Sequence, residues 1–288
     1  MIASGLLLVL WAISMPPSEA VGALTAVDDR GVRLRLTTPP RRIVSLSPSL
    51  TETLFAIGAG SRIVGVTTYC DYPPAARKIA KIGDYNTSVE KVVALRPDLI
   101  VAGAKANRLA IQALGRVHDI DKALFAVEPE NLTELYDAIH RLGAITGCVE
   151  GSRRTVAHMK RVVRSAGRLR KSSSPRPRVV FVLQRDPIWV AGSGTFVDDM
   201  IRAAGGVNLG RSAGKGYVPL SLERLIALNP EVILSTHSTT RDLKRRSGWS
   251  RLSAIRNGRV YKLGFEAVRP APRLADAVAS IAKLLHTR

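Results

Sequence analysis

A thirteen-residue stretch of this chain occurs twice, 133 positions apart, and that repeat constrains the architecture more than any other feature. Residues 89–101 read VEKVVALRPDLIV and residues 222–234 read LERLIALNPEVIL. Glu90 pairs with Glu223, Ala94 with Ala227, Leu95 with Leu228, Pro97 with Pro230 and Ile100 with Ile233, and a serine (Ser88, Ser221) precedes each copy. Arg96/Asn229 is the one non-conservative pair. Each copy reads as a short amphipathic helix, a proline that stops it, and an apolar run of buried-strand type. The offset is far too long for a stacked solenoid, so the copies belong to two separate globular lobes. Two similar α/β lobes place a cleft between them, a common setting for a ligand.

A chain of 288 residues is long enough for two such cores, and 46% hydrophobic with 23% charged residues is ordinary for a folded soluble protein. The formal net charge of +20 is not ordinary. It creates a field favourable to anionic ligands or surfaces. No zinc-finger spacing, RNP aromatic signature or homeodomain-like pattern accompanies it, and the basic residues fall on segments that read as outer faces, so nucleic acid is not the expected partner.

Residues 1–20 resemble a cleavable signal peptide: an apolar run over 5–15, then Ser18 and Ala20 as the small residues of a cleavage site. A basic residue before the run is missing, and a mis-set start codon is one explanation. Export to the periplasm is expected, without a lipid anchor, since no cysteine lies near that cleavage site. Cys70 and Cys148 are the only cysteines. In an exported chain they make one Cys70–Cys148 disulfide a candidate, set against two buried free thiols.

Along the first half, residues 32–36 alternate like an entry strand, 43–47 and 63–67 are strand-like, and a helix over 51–57 with Ser49 or Thr51 as its cap ends at Gly58 and Gly60. Residues 151–178 carry ten Lys or Arg and no Asp or Glu. Val156, Met159, Val162, Val163, Ala166 and Leu169 recur there at three- and four-residue spacing, giving an amphipathic helix with a basic outer face. Lying midway between the repeat copies, it is a candidate strut that would limit hinge closure. Strands over 179–183 and 259–263 and a C-terminal helix complete the second lobe. The expected division is 38–148, 149–174 and 176–288 for lobe, linking helix and lobe.

Enzyme motifs fail on spacing. Gly58-Ala59-Gly60 follows a helix and lacks the third glycine of a dinucleotide fingerprint, and no P-loop occurs. Gly192-Ser193-Gly194 is not a nucleophile elbow, and the scattered histidines hold no zinc signature. No metal or cofactor is expected. An exported α/β enzyme stays the competing class, needing a nucleophile–base pair or metal triad in the cleft. Glu90 and Glu223 allow two readings: first-turn carboxylates favoured by the helix dipole, or matched acidic tips that dock on a symmetric partner.

Residues 42–52 (RIVSLSPSLTE), 64–66, the loop 69–74, the first repeat copy, residues 248–261 and 269–273 (RPAPR) together resemble the solute-binding proteins of cobalamin and iron-chelate ABC importers. The likeness spans about residues 38–286. It implies two Rossmann-like α/β lobes joined by a single long helix, the class III binding-protein arrangement, with a corrinoid, ferric siderophore or haem clasped between them. It also implies a monomer that meets ABC permease subunits, and it makes Glu90 and Glu223 candidates for docking there.

Carried over residue by residue, the resemblance makes Tyr69 a ligand-facing aromatic. Tyr85 and Tyr217 stand where the family carries tryptophan, Trp189 follows Pro187 where an aromatic is expected, and Arg269 matches a cleft arginine. Gly103 departs from the pattern, which has an aromatic there. Aromatic faces bury a large, partly apolar ligand at small entropy cost. These four aromatics are expected in loops at the lobe rims, whereas Trp249 is expected to pack, beside Leu252, Ala254 and Ile255.

Overall fold

The computed structural model describes residues 23–84, 86–170 and 173–286; the signal-peptide expectation and Tyr85 lie outside the described residues. The chain opens with an antiparallel hairpin, β1 (Leu24–Val27) and β2 (Arg33–Leu36). The first lobe is a parallel sheet of β3 (Ile43–Ser45), β4 (Ile63–Val66), β5 (Ala80–Lys81), β6 (Leu99–Ala102) and β7 (Leu124–Ala126), in spatial order β5-β4-β3-β6-β7. Helices α1 (Pro48–Ala56), α2 (Val89–Ala94), α3 (Arg108–Leu114) and α4 (Leu132–Thr146) cover it, and α5 (Val149–Gly167) leads out of it.

The second sheet contains β8 (Arg178–Arg185), β9 (Ile188–Ala191), β10 (Val207–Asn208), β11 (Tyr217–Pro219), β12 (Val232–Ser235) and β13 (Val260–Lys262). Its order is β11-β9-β8-β12-β13, with β10 beside the start of β8. Strands β8, β10, β12 and β13 are parallel, whereas β9 folds back antiparallel to β8 and β11 pairs antiparallel with β9. Helices α6 (Phe196–Ala203), α7 (Leu222–Leu228), α8 (Thr240–Lys244), α9 (Ser253–Arg256) and α10 (Leu274–His286) complete this lobe.

The repeat seen in the sequence is the α2–β6 unit in one lobe and α7–β12 in the other, each strand lying next to the sheet's central strand. All four residues of β6 and of β12 are buried, as expected of parallel strands covered on both faces. The likeness extends to side chains outside the repeated segment. Asp98 accepts the Arg41 and Arg42 N–H groups at 2.7 and 2.9 Å, and Glu231 accepts the Arg178 N–H at 2.9 Å. Arg42 Nε donates to the Leu95 carbonyl at 2.8 Å, and Arg178 Nη2 donates to that of Leu228. The non-conservative pair shares its backbone too: Arg96 and Asn229 have φ of 43° and 41°, left-handed values that close each helix and suit asparagine better than arginine.

Each sheet has one face turned to a shared interior. Leu99, Val101 and Phe125 of the first sheet and Val179, Phe181, Val232 and Leu234 of the second join one continuous apolar cluster through Val156, Met159 and Ala166 of α5. The outer faces carry separate clusters, with Ile100, Val92 and Leu114 in one lobe and Ile233, Leu225 and Trp249 in the other. Trp249 is a packing residue, 3% exposed.

Helix α5 is clamped at its start. A Cβ on Gly151 would stand 1.8 Å from the Ile57 carbonyl oxygen at the end of α1, and one on Gly143 of α4 would stand 2.3 Å from Ser152 Oγ. At Gly151 the contact is backbone against backbone, with no side chain free to yield. Gly151→Ala is therefore expected to lower unfolding stability by about 2 kcal/mol, read by urea denaturation, despite the better helix propensity of alanine. Unchanged stability would show that α1 and α5 are not pinned together.

Local details depart from the sequence expectations. The entry strand 32–36 has a partner, β1, that the alternation did not disclose. Helix α1 begins at Pro48, ahead of the expected 51, because Ser47 occupies the extended N-cap position and a proline is well suited to the first helical turn. The Cys70–Cys148 disulfide is not formed. Cys70 Sγ sits 3.2 Å from Thr67 and Thr51 hydroxyls, at the C-terminal end of β4, while Cys148 Sγ accepts from Arg62 Nη2 at 2.8 Å, at its N-terminal end. A strand of four residues spans roughly 13 Å, well beyond the Cα separation of about 4–7 Å that a disulfide requires.

Candidate functional site: a cleft between the lobes

The C-terminal ends of the parallel strands in both lobes face a common cleft. In open α/β sheets that edge collects ligand-binding loops, because each strand ends there before its helix begins. A cavity of about 380 Å³ lies there, lined by Lys105, Glu128, Pro129 and Glu130 from the first lobe and by Thr195, Phe196, Tyr217, Val268 and Pro270 from the second.

An ion-pair clasp crosses the cleft. Glu52 of α1 is buried, its side chain 3% exposed, and Arg273 grips it from the other lobe: Nε donates to Oε1 at 2.9 Å and Nη2 to Oε2 at 2.8 Å. This two-point bond is the strong form of an arginine–carboxylate pair, and Glu52 raises the Arg273 pKa further. The same guanidinium lies 3.7 Å from the centroid of the Tyr72 ring. Arg269 donates to Asp71 Oδ1 at 3.0 Å and stands 4.0 Å from Glu52 Oε2.

Burial pushes the Asp71 pKa up, but the Arg269 hydrogen bond and charge outweigh it and hold the carboxyl below its ordinary 3.8. A depressed pKa contributes stability that is complete above the unfolded value and is lost as pH falls through the folded one. This arm of the clasp therefore stays intact above pH 3.8, and Asp71 is exposed enough that solvent keeps its contribution small.

The structure brings several sequence-predicted residues together. Arg269 bonds to the loop that carries Tyr69, and Tyr69 itself is exposed. Trp189 and Tyr217 were expected in loops but lie in strands, because residues 186–187 turn β8 directly into β9. In the β9–β11 ribbon Trp189 sits opposite Pro219 and Ala191 opposite Tyr217, so strand alternation puts Trp189 and Tyr217 on one face. Tyr217 shares the cavity with Val268 and Pro270, the near neighbours of Arg269, and desolvation raises its phenol pKa. Gly103 has a local reason for lacking a side chain. A Cβ there would stand 2.7 Å from Glu128 Oε2, the oxygen that accepts the Lys105 and Ala106 N–H groups.

Residues 43–267 match the periplasmic binding protein family. The chain belongs to that family. It is a binding protein of the transport type and not an enzyme. This periplasmic binding protein is 31% identical over 253 residues to an uncharacterized ABC transporter substrate-binding lipoprotein of Bacillus subtilis, covering 86% of this chain and 80% of the relative. It is 28% identical over 250 residues to the vitamin B12-binding protein of Vibrio cholerae, covering 86% and 90%. Among solved structures, a possible iron-binding periplasmic protein of Staphylococcus epidermidis superposes with a TM-score of 0.79 at 28% identity, covering 87% of this chain and all of the other. A periplasmic haem-binding protein of Roseiflexus sp. RS-1 gives 0.72 at 28%, covering 85% and 98%.

Glu90 and Glu223 stand at matching points on the two lobes of this binding protein. Both are exposed first-turn residues, on helices whose serine caps accept the Lys91 and Arg224 N–H groups at 3.2 and 3.1 Å. Their helices run antiparallel to the following strands, so both tips sit at the cleft edge. Glu90's own backbone N–H, together with the Ser88 hydroxyl at 2.8 Å, lowers its pKa, as expected at a helix start.

Sequence reading passed over Glu52, Asp71, Tyr72, Glu128, Glu130 and Arg273. Glu52 and Arg273 did lie in the segments that carried the resemblance, but no local spacing ties together residues 221 positions apart.

Proposed function

We infer that this protein captures a corrinoid between its lobes and delivers it to the permease of an ABC importer outside the cytoplasm, acting as a monomer. Residues 38–148 and 176–288 would be the lobes and 149–174 the connector. Tyr69, Tyr85, Trp189 and Tyr217 supply the apolar walls, Arg269 a polar contact, and Glu90 with Glu223 the docking points on the permease.

The observation that carries the choice of ligand is the charge balance of the cleft. Although the chain bears +20, Lys105 is paired with Glu130, Arg269 with Asp71 and Arg273 with Glu52. Lys215, beside Gly194, has no ion pair, but neither has Glu128 in the same lining, so among the described residues no net positive charge gathers where the ligand would sit. A dianionic haem or an anionic ferric chelate would meet Glu128 and Glu130 with Lys215 as the cation left outside an ion pair among the described residues at the cavity. A corrinoid, planar, uncharged overall and fringed with amides, suits aromatic walls and guanidinium groups whose charge is already satisfied. The likeness to a vitamin B12-binding protein supports the same reading.

The test is to incubate the purified protein separately with cyanocobalamin, haemin and a ferric trihydroxamate, desalt, and record the visible spectrum that co-elutes. Cyanocobalamin is expected to co-elute at one per chain. Trp189→Ala is expected to weaken its binding about tenfold or more with an unchanged melting temperature. Co-elution of haem or ferric chelate without cobalamin would replace the corrinoid reading.

A further inference from the structure

A row of basic residues lies on the opposite edge of the molecule from the cleft, along α5. The start of this helix lies at the N-terminal ends of the first lobe's strands. There, Arg62, the residue before β4, donates to the Thr146 carbonyl at 2.9 Å and to Cys148 Sγ, and Thr155 Oγ1 donates to the Ala56 carbonyl at the end of α1. Its other end lies beside the end of α6, where a Cβ on Gly167 would meet the Ala203 carbonyl oxygen at 3.2 Å. From there the chain enters β10, next to the first residues of β8. Helix α5 thus spans the N-terminal edges of both sheets, while the cleft occupies their C-terminal edges.

One face of α5 is spent on the core, through Gly151, Val156, Met159 and Ala166. The other is open and predominantly basic. Arg154, Arg161 and Arg168 recur every seven residues, about 10 Å apart along the axis, with exposed Arg164 and Lys160 beside them. His158 and Ser165 fill the stripe, and Arg161 shares a 3.1 Å hydrogen bond with His158. The one carboxylate bonded on this helix is Glu150, whose partner is Arg153 at 2.7 Å. Among the described residues Arg154, Arg161, Arg164 and Arg168 have no ion pair. Some basic residues elsewhere are matched by carboxylates, as Arg141 is by Asp29 and Arg211 by Asp198.

We propose that the exposed face of α5 binds the anionic phosphate headgroups of a membrane. The apolar face of the helix is already used inside the protein, so binding is electrostatic adsorption without insertion, and each basic residue near the surface adds to it. An unpaired row of arginines about 20 Å long lets several headgroups be engaged at once, and arginine is the basic residue best shaped to meet phosphate. In this pose the cleft edge, with Glu90 and Glu223, faces away from the bilayer. Adsorption and permease docking then exclude one another, and the membrane serves as a holding surface. The proposal stands on the charge distribution and does not depend on which ligand fills the cleft.

The experiment is co-sedimentation of the purified full chain with phosphatidylcholine vesicles containing or lacking phosphatidylglycerol, at about 0.1 M salt, where the screening length is about 10 Å. Wild-type protein is expected to pellet with the anionic vesicles and not with the neutral ones. Arg154→Glu, Arg161→Glu and Arg168→Glu together are expected to lower the partition coefficient at least about tenfold. The same charge change on α8, in Arg241→Glu, Lys244→Glu and Arg245→Glu, is expected to leave it within about twofold. Melting curves verify that both variants fold, and Arg→Gln versions at the three α5 positions repeat the test if charge reversal unfolds the protein. Equal losses in the two variants would assign adsorption to net charge and not to this face, overturning the proposal. So would no binding to anionic vesicles, including the case where a DNA duplex binds under the same conditions.

Discussion

Glu90→Lys combined with Glu223→Lys is expected to abolish transport while leaving ligand affinity within about twofold. Both carboxylates are exposed, both stand in the first turn of equivalent helices, and both face the cleft edge. They line neither the cavity nor the core, so binding has no reason to change. A permease built of two like subunits presents two equivalent sockets, and a pseudo-symmetric pair of charges meets them in one register. Uptake into proteoliposomes containing the permease, set beside ligand titration of the same variant, separates the roles. Transport that survives would reduce both residues to helix-start carboxylates. A collapse of ligand affinity would place them in the fold or the cleft.

Arg273→Met is expected to destabilise the protein by about 3–5 kcal/mol, because it leaves the Glu52 carboxylate buried and without its bidentate partner. Arg269 stands 4.0 Å away and is already engaged with Asp71, so it replaces the lost bonds poorly. The informative comparison is the double variant with Glu52→Leu, in which no buried charge is stranded. Urea denaturation of both singles and the double gives the coupling energy. A double variant as unstable as Arg273→Met would locate the effect in lost arginine packing over Tyr72. A single variant as stable as wild type would show the clasp to be incidental.

The general plan of the fold could be read from the chain because its information is local. The α2–β6 and α7–β12 units each fit within thirteen contiguous residues, and their helix stop, proline and apolar run describe themselves. The amphipathic period of α5 likewise fixed which side met the core. Features set by distant partners were not legible. Strand β9 turns back antiparallel where the first lobe has parallel β4, and this moved Trp189 and Tyr217 from expected loops into a ribbon. The two cysteines belong to one lobe but flank opposite ends of the same strand. The pairing of Glu52 with Arg273 appears only once both lobes have folded and met. At the site, then, sequence reading named several aromatics and Arg269 but not the carboxylates that balance the arginines. It placed the basic residues on outer faces, and the basic run of α5 does lie on the side away from the cleft.

The apolar cluster that runs unbroken from Phe125 through Met159 to Phe181 carries a consequence for how the chain could be divided. Cut between α4 and α5, the first half would present to water the surface of Ile139 and Leu142 that α5 now covers. The second half would keep a helix whose inner face had lost half of its cover. Neither piece is self-sufficient, despite the duplicated topology. The molecule should melt as one cooperative unit, its slowest-exchanging amides lying in strands of both sheets together, and an ancestral single lobe would have needed a second copy of itself to close its interior.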